Sequence, residues 1–297
     1  MQLKEHWRSP ACGSSSALTK RCWRTNFPLR SKFAAERGVR HSGETMKNCA
    51  YCDKPEKLTK EHIWPSTLIR KFEDLLTYNK SQNKLYKGDP LIKDVCGTCN
   101  NIHLSKLDSY LSKLFESHFK EILNPGDSAN FEYDYDYLLR GLLKISFNSA
   151  RAAASEKTIT AHQKFTKYIL EGGHCGKVML RLQIVTASKA VNLQDNTEKM
   201  VRPEVLRCAD IGYDGELSKQ FMIRMIAINS FWFYIIIPYE YESPNNWRTF
   251  LNGFCNWEIR PGVLVSPSSS KLEIPVEKTT YFHPLLLGSL LDANHRA

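Results

Sequence analysis

Residues 49 to 108 carry three motifs from which the architecture of this chain can be worked out, and they read Cys49-Ala-Tyr-Cys52, Glu61-His62-Ile-Trp-Pro65 and Cys96-Gly-Thr-Cys99-Asn100-Asn101-Ile-His103. Each Cys-x-x-Cys pair forms a tight knuckle that presents two sulfurs to one point. Two such pairs, separated by a few dozen residues, supply the four thiolates that a tetrahedral Zn²⁺ ion prefers. We therefore predict a structural zinc site whose ligands are Cys49, Cys52, Cys96 and Cys99.

The Glu61-His62 pair lies between the two knuckles. Adjacent strand residues point to opposite faces, so these two side chains can share one reaction centre only where a strand ends. Pro65 predicts such an end, because a proline disfavours helix in the residue before it and is tolerated in the first turn of a following helix. If the second knuckle opens a helix, Asn100 lies at the helix N-terminus, where backbone N–H groups attract phosphate.

The order of these motifs resembles the HNH (ββα-metal) endonuclease family, and the asparagine directly after the fourth cysteine is similar to recombination endonuclease VII. The resemblance covers about the first quarter of the chain beyond residue 45. It implies that the four cysteines bind structural Zn²⁺, that His62 is the general base, and that Glu61 and Asn100 bind a catalytic Mg²⁺ or Mn²⁺ ion. His103, one helical turn after Asn100, is either a further ligand of that ion, a phosphate contact or a solvated helix histidine.

One feature of the family has no clear counterpart in this sequence. HNH proteins usually carry a middle asparagine, a few residues before the second cysteine pair, that orients the histidine through a backbone contact. The nearest polar residues are Asn83, Asp89 and Asp94, and none of them falls in that place.

The resemblance implies an enzyme that hydrolyses DNA phosphodiester bonds and leaves 5′-phosphate and 3′-hydroxyl ends, in a defence or mobile-element role. The alternative is a non-catalytic zinc module that binds nucleic acid or a protein, in which Glu61 and His62 form a structural hydrogen-bonded pair. The missing middle asparagine favours the alternative, whereas the coincidence of Glu61, His62 and Asn100 at family positions favours the enzyme.

Composition sets weaker limits on function. The 297 residues are 42% hydrophobic and 24% charged, as in ordinary globular proteins, and nine cysteines are too few for a disulfide scaffold of this length. We therefore expect a reducing, cytoplasmic setting. The net charge is +10, but residues 1–45 hold nine Lys or Arg against three Glu, so most of the excess lies in that segment. Charge alone supports nucleic-acid binding only modestly.

Residues 1–45 are basic, contain Ser and Gly, and show little hydrophobic periodicity, so we predict a disordered leader. It is either a basic arm that lies along a DNA backbone or a segment upstream of the true start at Met46. The second interpretation is favoured because a zinc knuckle often lies close to the first residue of a domain.

The whole chain is predicted to have an α+β fold, in which a zinc-bound, treble-clef-like ββα HNH domain at 46–125 precedes a mainly antiparallel α+β domain of unknown role at 126–297. Helices are predicted over 66–78, 100–123, 137–154, 155–170 and 247–254, and strands over 178–188, 201–213, 220–228 and 231–239. No membrane span is predicted, because polar residues interrupt the apolar run 222–238.

Two groups of side chains in the C-terminal part have alternative interpretations. Arg140, Lys144, Asn148 and Arg151 recur at helical spacing, and this polar row either contacts phosphates or, more commonly for such rows, is a solvated face. The aromatic residues 231–234 are expected at the centre of a buried sheet rather than in a base-stacking platform.

Overall fold

The computed structural model describes residues 47–72, 91–192, 195–257 and 259–279, together with the backbone of three short strands in the remaining segments. Apart from the strand β1 (Trp7–Arg8), the predicted leader lies outside the described residues, as do Asn83 and Asp89. The described residues contain both helix and sheet, which confirms the predicted α+β class.

Two small hairpins form the N-terminal part. Strand β2 (Leu58–His62) pairs antiparallel with β5 (Leu91–Cys96), and β3 (Leu76–Asn79) pairs with β4 (Lys84–Lys87). The helix predicted over 66–78 is wrong beyond its first turn, because α1 covers only Ser66–Ile69 and residues 76–79 are a strand. Thr and Tyr favour strands, and the pairing with β4 overrides the helical spacing of the leucines.

The chain leaves β5 directly into a helical segment. It is π-helical over Cys99–Leu104, α-helical as α2 over Ser105–Leu114, and π-helical again over Phe115–Phe119. The predicted helix therefore begins where expected and ends four residues early. Its apolar stripe is buried as predicted, because Leu104, Leu107 and Leu111 are inaccessible to solvent.

A long helix, α3 (Tyr135–Ala152), packs against α2. It begins at Asp134, whose Oδ1 accepts a hydrogen bond from the Tyr137 backbone N–H at 3.1 Å, as an N-cap should. Gly141 permits the close approach, because a Cβ there would lie 3.0 Å from Leu111. The helix predicted over 155–170 is two helices, α4 (Glu156–Gln163) and α5 (Thr166–Glu171).

An antiparallel sheet dominates the C-terminal part, as predicted. Strand β6 (Ser128–Glu132) precedes α3, and the later strands are β7 (Met179–Ile184), β8 (Ser188–Asn192), β9 (Glu198–Val201), β10 (Leu206–Asp210), β11 (Phe221–Ile228), β12 (Phe231–Pro238), β13 (Val263–Val265) and β14 (Lys271–Pro275). The five strands of the dominant sheet lie in the order β10-β11-β12-β7-β13. Strand β12 is fully buried between β11 and β7, so the prediction for residues 231–234 is confirmed.

The sheet is covered on both faces. One face shares a continuous apolar core with α2, α3 and the cysteine knuckles, and this core includes Val95, Leu107, Leu143 and Ile226. On the other face, helix α6 (Pro244–Cys255) inserts Phe250, whose ring stacks on Phe221 with centroids 4.1 Å apart. Within the described parts of the chain, no helix has the length and apolar character needed to cross a membrane.

The polar row of α3 does not face solvent, so the solvated-face interpretation is wrong. Lys144 and Asn148 are completely buried, and Arg140 is 7% exposed. The row faces the β2–β5 hairpin on one side and α5 on the other. Helix α3 therefore contacts the hairpin that carries Glu61 and His62.

Candidate functional site

The four cysteines of the two knuckles meet at the junction of the β2–β5 hairpin and the helical segment that starts at Cys99. Their sulfur atoms all lie within 4.8 Å of one another, and Cys52 Sγ is 3.8 Å from Cys96 Sγ. A tetrahedral zinc ion with Zn–S distances of about 2.3 Å separates its sulfurs by about 3.8 Å. The group can therefore hold a metal ion, and its size and chemistry are consistent with structural zinc.

Backbone donors support these sulfurs. The N–H of Cys96 donates to Cys49 Sγ at 3.3 Å, and the N–H of Cys99 donates to Cys96 Sγ at 3.4 Å. Burial raises the pKa of Cys96 to about 11 and also raises the pKa of Cys99. A cation that binds here must therefore displace protons from thiols, which makes its affinity depend on pH.

A β-bulge shapes the hairpin next to the sulfurs. Thr59 pairs with Val95 and Glu61 pairs with Ile92, so two residues of β5 oppose the single residue Lys60. The bulge lets the consecutive residues Asp94 and Val95 both face inward, where Asp94 meets α3 and Val95 enters the core. The bulge thereby adds a carboxylate to the inner face of the hairpin.

Glu61 lies on the inner face of β2 and binds α3. Its side chain is 3% exposed, and its Oε1 is 2.7 Å from Lys144 Nζ. Lys144 also forms an ion pair with Asp108 of α2. Burial raises the pKa of Glu61, and the Lys144 ammonium opposes that rise. One buried cation thus lies between two carboxylates that come from the hairpin and from α2.

Asn148 binds four groups around the Glu61-His62 pair. Its Nδ2 donates to the backbone carbonyl of His62 at 2.9 Å and to Glu61 Oε1 at 3.3 Å. Its Oδ1 accepts from the Tyr51 hydroxyl at 2.6 Å and from Arg151 Nη2 at 2.8 Å. A primary amide has two donor hydrogens and two acceptor lone pairs, so every hydrogen-bonding capacity of this side chain is used.

Asn100 ties the start of the helical segment to the hairpin. Its Nδ2 donates to the backbone carbonyl of Lys60 at 2.9 Å and to Thr59 Oγ1 at 3.0 Å. Among the described residues, Asn100 Oδ1 has no hydrogen-bond partner, and Glu61 receives hydrogen bonds only at Oε1. Within that part of the chain, each of these two predicted ligands therefore keeps one oxygen that accepts no hydrogen bond.

His103 forms a hydrogen bond to α5 through one ring nitrogen. Its Nδ1 is 3.1 Å from the backbone carbonyl of Leu170, near the end of α5, where Arg140 Nη2 also donates at 2.9 Å. Across the parts of the chain that the structure describes, the four cysteines are the one group of three or more His, Cys, Asp or Glu side chains placed to share an ion. The structure therefore does not bring His103 together with Glu61 and His62.

His62 is the last residue of β2, so the strand ends where Pro65 predicts. The side chain is partly exposed and pairs in register with the exposed Leu91, on the face opposite to buried Glu61. Within the described residues, no hydrogen bond joins the His62 imidazole to Glu61 or Asn100. The three predicted catalytic residues lie at the end of β2 and the start of the helical segment, and the hydrogen bonds that the structure describes between these parts run through the β2 backbone and Asn148 of α3.

Sequence reasoning missed five residues that surround this site, namely Tyr51, Asp108, Lys144, Asn148 and Arg151. Three of them lie in the polar row of α3, which the helical spacing identified without indicating its partner. Asp108 gave a weaker signal, as an acidic residue two turns after Asn100 on the same helix.

Comparison of the chain with protein-family models, with curated proteins and with solved structures gives no match in any of the three.

Proposed function

We propose that this protein is a zinc-anchored HNH-type endonuclease that hydrolyses DNA. The position of the four cysteine sulfurs at one point supports the proposal most directly. It joins the strands β2 and β5 to the helical segment 99–119, and these elements follow one another in the order strand, strand, helix. In this proposal that unit is the ββα-metal fold, and the end of β2 and the start of the helix form one reaction centre.

His62 is the proposed general base. Its side chain is partly exposed at the strand end, where the imidazole is placed to take a proton from water. The resulting hydroxide attacks phosphorus, the bond from phosphorus to the 3′ oxygen breaks, and the 3′ oxygen takes up a proton from solvent. The products are a 5′-phosphate and a 3′-hydroxyl.

A catalytic Mg²⁺ or Mn²⁺ ion is part of this proposal. The free oxygens of Glu61 and Asn100 are hard donors of the kind that such ions prefer. We leave His103 out of the ligand set, because the described residues do not place it in one group with Glu61 and His62. When bound, the ion would stabilise negative charge that develops on the phosphate and the departing oxygen. The chain itself holds the Glu61 carboxylate through Lys144 and Asn148, and holds Asn100 through Lys60.

The charge distribution around the site suits a polyanionic substrate. The acidic residues Glu61, Asp94 and Asp108 of the cysteine-bearing unit form ion pairs with Lys144 or Arg151 of α3. The first knuckle and the strands β2 and β5 also expose five lysines, Lys47, Lys54, Lys57, Lys60 and Lys93. Strand alternation puts exposed Lys60 on the same side of β2 as His62.

A plasmid assay tests the proposal. Supercoiled DNA is incubated with the purified chain and Mg²⁺ or Mn²⁺, with and without EDTA, and the His62→Ala variant is run in parallel. Nicking that EDTA and His62→Ala both abolish is expected. Cutting by His62→Ala at the rate of the parent would refute the assignment of the base.

One observation favours a second candidate, a zinc-anchored module that binds DNA without cutting it. The Lys144 ammonium already neutralises Glu61, so the carboxylate has a structural partner that requires no second metal ion. In the same assay this candidate predicts a gel shift of the plasmid that requires the cysteines, together with no nicking at any concentration of Mg²⁺ or Mn²⁺.

A further inference from the structure

Helix α3 lies outside the cysteine-bearing segment, yet it binds both residues of the Glu61-His62 pair. Asn148 donates to the His62 carbonyl at 2.9 Å and to Glu61 Oε1 at 3.3 Å, and Lys144 reaches the same Oε1 at 2.7 Å. Asn148 is fully buried, so it cannot touch a substrate. Any role that it has in the reaction must act through the residues that it holds.

The orientation of the Asn148 amide is fixed by its partners. The Tyr51 hydroxyl and Arg151 Nη2 are donors and both meet Oδ1, whereas the His62 carbonyl and Glu61 Oε1 are acceptors and both meet Nδ2. Burial raises the pKa of Tyr51, so its hydroxyl stays protonated and keeps donating. A rotated amide would place donor against donor and acceptor against acceptor at all four contacts.

The same amide joins three structural units. Tyr51 lies inside the first cysteine knuckle, His62 ends β2, and Arg151 binds Asp94 of β5 through Nε at 2.8 Å. The backbone carbonyl of Asp94 in turn accepts from the N–H of Ala50 in the knuckle at 2.8 Å. A shift of Asn148 would therefore move the end of β2 relative to the sulfurs.

We propose that Asn148 is the positioning residue of the reaction centre, supplied by a helix beyond the motif, and that the cysteine-bearing segment is incomplete without α3. The inference rests on the proposed endonuclease function. It assigns Asn148 the task of fixing the backbone at His62, so that the imidazole meets the substrate in one orientation. Misplacement of a reacting group by about 1 Å can cost about 10²-fold in rate.

The test compares Asn148→Asp with a matched control, Asn229→Asp. Asn148→Asp keeps the shape and the acceptor oxygen but removes the donor to His62 and Glu61. Asn229 is also a buried asparagine, and its Nδ2 donates to the Phe119 carbonyl at 2.9 Å, away from the site. Its φ of +48° is one that Asp tolerates. Zinc content and the melting transition give the folded fraction of each variant.

Single-turnover cleavage of bound DNA is then measured, normalised to the folded fraction, beside the Kd for DNA in EDTA. Asn148→Asp is expected to cleave about 10²-fold more slowly with an unchanged Kd, whereas Asn229→Asp cleaves like the parent. If Asn148→Asp does not fold, Tyr51→Phe removes only one hydrogen bond to Oδ1, and cleavage about fivefold slower is expected.

The outcomes separate the two claims. If the parent cleaves DNA and Asn148→Asp cleaves as fast as Asn229→Asp, the positioning role is overturned and the endonuclease proposal stands. Where Tyr51→Phe is used instead, cleavage at the parental rate has the same consequence. A folded, zinc-loaded parent that binds DNA and never cuts it would overturn the endonuclease proposal and this inference with it.

Discussion

Replacing Lys144 with methionine removes the buried cation between Glu61 and Asp108 while keeping a side chain of similar length. Lys144 and Glu61 are 0% and 3% exposed, so Glu61 would be left as a charge with little access to water. Asp108 is 27% exposed and can be hydrated instead. Removing one partner of a buried ion pair typically costs about 3–5 kcal/mol, which is a large share of the total stability of about 5–15 kcal/mol.

The free energy of unfolding is measured by urea titration at pH 7 with tryptophan fluorescence, at one zinc per chain and without added Mg²⁺. The control is Lys113→Met, which changes an exposed lysine of α2 and should alter the free energy of unfolding by no more than about 0.5 kcal/mol. Adding Glu61→Gln to Lys144→Met should recover about half of the loss or more, because no buried charge is then unpaired.

The loss should also depend on pH. Burial raises the pKa of Glu61 in the folded chain, so the folded state binds this proton more tightly than the unfolded state does. The contribution of this proton to the free energy of unfolding is fully present below the pKa of about 4.3 that Glu has in the unfolded state. It is lost as pH rises through the higher pKa that Glu61 has in the folded state. The deficit of Lys144→Met should therefore shrink as pH falls towards 4, and Glu61→Gln should abolish this trend. A deficit under about 1 kcal/mol at pH 7, or a double variant no more stable than Lys144→Met, would refute the reasoning.

Three further predictions concern the metal, the base and the substrate. Elemental analysis should find one zinc ion per chain. The ion should be lost in Cys99→Ser and retained in the control Cys255→Ser, whose thiol lies outside the cluster. Zinc that survives in Cys99→Ser would contradict the site. His62→Ala should cut DNA about 10²- to 10⁴-fold more slowly at unchanged zinc content, and plasmid nicking at the parental rate would contradict the base. Lys60→Gln and Lys93→Gln should each weaken DNA binding and lower the slope of log Kd against the logarithm of the salt concentration by about 1. Filter binding at several salt concentrations measures this slope. An unchanged slope would show that the lysine does not contact DNA.

Local patterns predicted many elements of the fold correctly. The spacing of two Cys-x-x-Cys pairs predicted a four-sulfur cluster, and Pro65 predicted the end of β2 close to His62. The helix predicted over 137–154 corresponds to α3, and the strands predicted over 220–228 and 231–239 correspond to β11 and β12. Each knuckle and each periodic stretch depends on residues a few positions apart, whereas the meeting of the two knuckles joins residues 47 positions apart.

Other elements were predicted less well. The leucines at 75 and 76 follow helical spacing, yet residues 76–79 pair with β4 as a strand. A single helix was predicted over 155–170, whereas the chain breaks it between α4 and α5. For His103 the sequence left a metal ligand, a phosphate contact and a solvated histidine open, and it could not indicate the carbonyl of Leu170, which lies 67 residues further along the chain.

The sequence by itself determined the two Cys-x-x-Cys knuckles, the α+β class and the existence of a polar row along α3, because each of these follows from short-range spacing. Only the tertiary structure decided what the polar row faces. Lys144 meets Asp108 across 36 residues of chain, and Asn148 meets Glu61 across 87. Helical periodicity states which side chains share a face, but whether that face meets water or a buried carboxylate depends on how distant segments pack.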